Sequence, residues 1–95
     1  MKVKVKFFAL VRELTGKREE TVDLDDDATV RVLLDKLSDE YGPKFQEYLF
    51  DPDSKKPRGY LQFLIDGRNI ALMQGLDTAL REGSSLAILP PVGGG

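Results

Sequence analysis

The stretch Lys2-Val3-Lys4-Val5-Lys6-Phe7-Phe8-Ala9 alternates residue by residue. Val3, Val5, Phe7 and Ala9 fall on one side and Lys2, Lys4, Lys6 and Phe8 on the other, so the segment is predicted as a strand with one buried and one wet face. Such a strand needs a sheet around it and a layer to cover its apolar side.

The neighbouring sequence supplies both. Leu10 to Thr15 reads as a helical turn ending at Gly16, and Glu20 to Leu24 alternates again with Val22 and Leu24 inward, giving a hairpin with a long connection. Thr29 is predicted to cap a helix whose Val30, Leu33, Leu34, Leu37 and Tyr41 make one apolar stripe, stopped by Gly42-Pro43. Residues 44–59 read as a short helix around Phe45, Tyr48 and Leu49 followed by the exposed loop Asp51 to Pro57. Tyr60 to Ile65 returns to strand character, Asp66-Gly67 signals a tight turn into a short arm around Asn69 to Ala71, and Leu86 to Leu89 forms a last strand. The predicted order is ββαββ with an insertion after the helix. This is the order of an α+β ubiquitin-like β-grasp: a mixed sheet of four to five strands, one main helix across it, and first and last strands parallel and adjacent. Residues 1–89 are read as that domain and 90–95 as an exposed tail.

Composition limits the chemistry. Ninety-five residues with 41% hydrophobic content suit a single domain. A net charge of −2 gives no bulk attraction to nucleic acid or an anionic membrane. No apolar run approaches a membrane span and the start does not resemble a signal peptide, so a cytoplasmic protein is expected. The absence of Cys and His removes thiol and imidazole catalysis, disulfides and ordinary zinc sites. The acidic group Asp23, Asp25, Asp26 and Asp27 lacks the spacing of a calcium loop and reads as a solvated turn, so no metal and no bound cofactor are expected.

The sequence closes on Leu89-Pro90-Pro91-Val92-Gly93-Gly94-Gly95. Two prolines favour an extended, stiff exit from the last strand, and the six residues after Leu89 could reach about 20 Å. Three glycines carry no Cβ to collide with a narrow site. A frayed terminus is the plainer reading of the same residues.

Three segments together resemble a known family: Lys6 to Gly16, the helix start Ala28-Thr29-Val30, and Gly83 to Gly95 with its terminal PPV-x-GG pattern. They look like the small subunit of molybdopterin synthase and are similar to the archaeal ubiquitin-like small modifiers and, more distantly, to the thiamine-pathway sulfur carrier. The insertion from Phe45 to Gly59 departs from the shortest bacterial members, and Asp66-Gly67-Arg68-Asn69 resembles the archaeal branch. The resemblance implies a protein that is not catalytic alone. An ATP-using adenylyltransferase would activate Gly95, and sulfur would then convert it to a thiocarboxylate that supplies dithiolene sulfur for molybdenum or tungsten cofactor, in a pocket of the synthase large subunit. In the modifier branch, Gly95 would instead acylate target lysines. Pro90, Pro91, Val92, Gly93 and Gly94 would thread the partner's site.

Alternation places Phe8 and Leu89 on the outer face beside the tail exit, where they are expected to contact a partner, with Ile70 as a further contact. The competing expectation is that residues 44–59 fold over them. Arg12 would either pair with an acidic partner residue or stay solvated.

Overall fold

A computed structural model describes residues 1–90. The alternation that opens the sequence folds as expected: strand β1 runs Lys2–Phe7 with Val3, Val5 and Phe7 buried. It ends two residues earlier than the pattern suggests. Ala9, expected on the inner face, is exposed and begins helix α1, Ala9–Thr15. Phe8 is still extended and acts as the helix N-cap residue, while Val11 turns inward to seat the helix on the core. Alternation alone carries no stop signal; the apolar residue after Phe8 that anchors the chain is Val11, at helical spacing.

Strand β2, Glu19–Asp23, returns antiparallel to β1 with Val3 opposite Val22. Helix α2, Val30–Tyr41, follows, and the Thr29 hydroxyl accepts a hydrogen bond from the Val32 N–H at 3.5 Å. Its stripe Val30, Leu33, Leu34 and Leu37 is fully buried. Gly42 closes α2 by donating its N–H to the Ser38 carbonyl and holds φ +91, ψ −170, a combination open essentially to glycine alone. Helix α3, Pro43–Leu49, starts immediately afterwards.

Strand β3, Gln62–Ile65, pairs with the two-residue β4, Arg68–Asn69, across Asp66-Gly67. Both turn residues have positive φ, +49 and +86, the geometry in which Asp-Gly joins twisted strands most easily. Single 3-10 turns at Ile70–Leu72 and Gly75–Asp77 lead towards strand β5, Ser85–Leu89. The sheet order is β2-β1-β5-β3-β4. Strand β5 is central: it pairs parallel to β1, with Phe7 beside Ile88, and antiparallel to β3, with Gln62 beside Leu89. This is the mixed sheet of a ubiquitin-like β-grasp.

Helices α2 and α3 cover one face. Phe45 and Leu49 of α3 enter the main core, and Phe45 meets Phe7 edge-on at 6.5 Å and Tyr41 at 5.5 Å between ring centroids. The first part of the 44–59 insertion thus belongs to the inner layer rather than folding over the outer face. The rest is the turn-rich loop expected, with the Asp51 carboxylate accepting from the Asp53 and Ser54 N–H groups.

Candidate functional site

The parallel pairing of β1 with β5 decides where the chain end emerges. Because Phe7 lies beside Ile88, Phe8, which follows β1, and Leu89, which ends β5, lie at the same end of the sheet. Along β5, Leu86 and Ile88 are buried while Ser85, Ala87 and Leu89 are partly exposed on the other face, so Leu89 faces outward as alternation predicts. Phe8 is 39% exposed at the turn into α1, with Leu10 also exposed two residues on. The sheet therefore presents Leu89, Ala87 and the half-buried Leu64 along its outer middle, with Phe8 at their end. Pro90 is partly exposed and continues from Leu89. Pro91, Val92, Gly93, Gly94 and Gly95, to which the tail expectations attach, lie outside the described residues.

Beside that apolar strip the outer face is charged and largely paired. Lys2 stands 3.4 Å from Asp23 and Lys4 3.4 Å from Glu19. Such exposed pairs contribute little to stability, about 0–1 kcal/mol, but they fix which part of the face is polar. Among the described residues neither Lys6 nor Arg12 has a carboxylate within 4 Å. Asp25, Asp26 and Asp27 are exposed in a turn closed by the Ala28 N–H on the Asp25 carbonyl, as expected of a solvated acidic run.

Ile70 is corrected. It is only 6% exposed and forms part of the core. The Asn69 side chain accepts from the Ala71 N–H at 2.9 Å and starts the 3-10 turn, which swings Ile70 inward into the core that holds Leu61 and Phe63 instead of leaving it on the outer face.

A polar cluster on the helix side of the sheet escaped the sequence reading. The Tyr41 hydroxyl donates to the Glu20 carboxylate, and the Lys17 ammonium lies 3.4 Å from Glu20 and 3.9 Å from Glu40. Burial alone would raise the Glu20 pKa, but hydrogen bonds from Tyr41 and Glu40 and the Lys17 charge bring it below the ordinary carboxylate value. Glu40 is raised, first by burial and then by its Glu20 neighbour. The Tyr41 hydroxyl is pushed up strongly by burial and by the two carboxylates. The cluster ties β2 to the end of α2. Its partners are too far apart in sequence for any local pattern to announce them.

Among the described residues no group of three or more Asp and Glu side chains is placed to hold a metal, and no helix is long and apolar enough to cross a membrane. What remains is an open strand end flanked by apolar side chains, followed by a chain segment whose sequence ends in three glycines.

The model of the ThiS family matches residues 5–95. The chain belongs to the ThiS family. It is 34% identical to small archaeal modifier protein 3 of Haloferax volcanii, with the match covering 100% of both chains. The crystal structure of small archaeal modifier protein 1 from Haloferax volcanii superposes with a TM-score of 0.86 at 33% identity, covering 100% of each chain. A Pyrococcus furiosus protein assigned as molybdopterin converting factor subunit 1 gives a TM-score of 0.77 at 30% identity, covering 97% of this chain and 99% of that one. These likenesses establish the ubiquitin-like β-grasp and place the chain among the small sulfur carriers and protein modifiers of the ThiS family, which are not catalytic by themselves. The resemblance drawn from Lys6 to Gly16 and from the chain end therefore reached the right family.

Proposed function

We propose that the protein is a sulfur carrier whose Gly95 carboxylate is activated and thiolated, serving as the small subunit of a molybdopterin synthase. The observation that carries this reading is the parallel β1–β5 pairing, which delivers the PPVGGG segment from the open end of a rigid sheet. In the proposed reaction the Gly95 carboxylate attacks the α-phosphorus of ATP held by an adenylyltransferase, and pyrophosphate leaves. A sulfur nucleophile then displaces AMP to give the thiocarboxylate. That sulfur then forms a C–S bond to an electrophilic carbon of a pterin precursor in the large subunit, an oxygen substituent leaves that carbon, and water cleaves the acyl C–S bond, which leaves the sulfur on the pterin and returns the carboxylate. The chain itself offers neither thiol nor imidazole, so in this proposal the groups that activate ATP and deliver sulfur belong to the partners. The protein's own contribution is presentation. On this proposal the sequence of Pro90 and Pro91 favours an extended exit, Val92 supplies one side chain, and Gly93, Gly94 and Gly95 would suit a channel that excludes a Cβ. Phe8 and Leu89 are the proposed partner contacts beside the tail exit.

A second reading is supported by the full-length likeness to small archaeal modifier protein 3. There the activated Gly95 is attacked by the amine of a lysine on a target protein, AMP or a thiolate leaves, and an isopeptide bond forms. Mass spectrometry of the protein from its native cells separates the two. The carrier reading expects one carboxylate oxygen replaced by sulfur on the intact chain; the modifier reading expects lysines of other proteins that carry the segment Glu82 to Gly95 after trypsin, whose last cut in this chain follows Arg81. Detection of neither, with normal growth after deletion of Gly94 and Gly95, would overturn both.

A further inference from the structure

At the opposite end of β5 from the tail, a hollow of about 680 Å³ opens between the β3–β4 turn and the segment leading into β5. Its rim holds Leu72 and Met73, its walls include Thr78 and Gln74, and Arg68 and Arg81 stand on it as exposed cations. Leu72 is 87% exposed and Met73 37%. This ridge is not a loose loop. Asn69 accepts from the Ala71 N–H, the Met73 N–H donates to the Ile70 carbonyl at 2.9 Å, the Gln74 N–H donates to the Thr78 hydroxyl at 3.1 Å, and Ile70 anchors the turn in the core. A hydrogen-bonded scaffold that holds a leucine out in water has met the ordering cost of a contact before the contact is made.

The charges say what kind of contact. One carboxylate lines the hollow with the two arginines: Asp66, whose Oδ1 accepts from the Ser85 N–H. Of the carboxylates close by, Glu82 accepts from the Lys2 N–H and Asp77 lies 3.8 Å from Arg31. Among the described residues neither Arg68 nor Arg81 has a carboxylate within 4 Å. Two guanidinium groups beside an exposed leucine are complementary to a carboxylate next to an apolar side chain.

We propose that this hollow is a second docking surface, which takes an acidic segment of a partner protein carrying an apolar residue beside Asp or Glu. It lies the length of β5 from the tail exit, about 13 Å along the strand. A partner there leaves the chain end free for the activating enzyme, so the protein can be held at one end while it is worked on at the other. The inference does not depend on what Gly95 carries.

Photo-crosslinking in the native cells tests it. The full chain with Leu72→benzoylphenylalanine is expected to crosslink to another protein at a segment that contains Asp or Glu next to an apolar residue. The yield should fall about tenfold with Arg68→Glu and Arg81→Glu combined, stay near its starting value with Arg68→Lys and Arg81→Lys, and be unchanged by deleting Gly94 and Gly95. A thermal melt confirms that the charge-reversed chain is folded, and intact-mass measurement of Gly95 on the same samples reads the tail chemistry separately. Crosslinks to a second copy of this chain alone, to a segment without acidic residues, with a yield insensitive to charge reversal, or no stronger than from Lys44→benzoylphenylalanine, would each overturn the proposal.

Discussion

Strand β5 has two faces on five residues, and they have different tasks. Leu86 and Ile88 are sealed under α2 in the centre of the sheet, while Ser85, Ala87 and Leu89 look outward and lead to the tail. On the inner face every atom touched belongs to the same molecule, so a change there is felt as stability. On the outer face and beyond it, the proposed contacts belong to other proteins, so a change is felt as lost transfer with the fold intact. If the proposed contacts hold, one strand separates fold from function by a period of two residues.

The largest effect should come from the end that contributes least to folding. Deleting Gly95 is expected to abolish thiocarboxylate formation or conjugation, read by mass spectrometry, while the melting temperature stays unchanged. A chain that unfolds on losing Gly95 would break the comparison. On the inner face, Ile88→Ala is expected to cost about 2–5 kcal/mol in urea unfolding, because it removes buried methylenes and leaves a cavity beneath α2. Its residual folded fraction should still accept activation at Gly95. On the outer face, Phe8→Asp is expected to weaken binding to the activating enzyme about tenfold in a titration, with less than about 1 kcal/mol change in stability. An equal loss in stability and binding would show that Phe8 serves the core after all.

The smallest effect sharpens the inner side. Because the Tyr41 hydroxyl titrates higher in the folded chain than its ordinary value, its contribution is complete below the unfolded value of about 10 and is lost as pH rises through the folded one. Comparing Tyr41→Phe with the parent chain by urea unfolding from pH 8 to pH 11 should show the stability gap closing above about pH 10. Glu20 carries the opposite sign: its lowered value gives stability that fades as acid protonates it, partly offset by Glu40, whose raised value favours the protonated form. A gap that stays constant with pH would mean that the Tyr41–Glu20 bond contributes nothing.

Most of the layer architecture was legible because it rests on local periodicity. The alternation of β1, the stripe of α2 and the Asp66-Gly67 turn each announce themselves within a few residues. Ala9 was misplaced because a period-two pattern persists by chance past the residue where the backbone turns, and the helix that replaces it is only seven residues long. Ile70 was misplaced because a two-residue strand such as β4 leaves no pattern to show which way the next side chain swings. The pairing of Tyr41 with Glu20 was not legible, since the two meet only after β2 and α2 have packed. The reading of the tail rests on the order of residues 90–95 and on the family resemblance, and its residues from Pro91 onward lie outside the described part of the chain.

The central position of β5 also concentrates the sheet's integrity in five residues. Strands β1 and β2 on one side, and β3 and β4 on the other, are joined into one sheet only through it. A chain cut before Ser85 would be left with two separate hairpins and a helix stripe with no continuous sheet to cover, so the loss of one short strand would undo the whole layer.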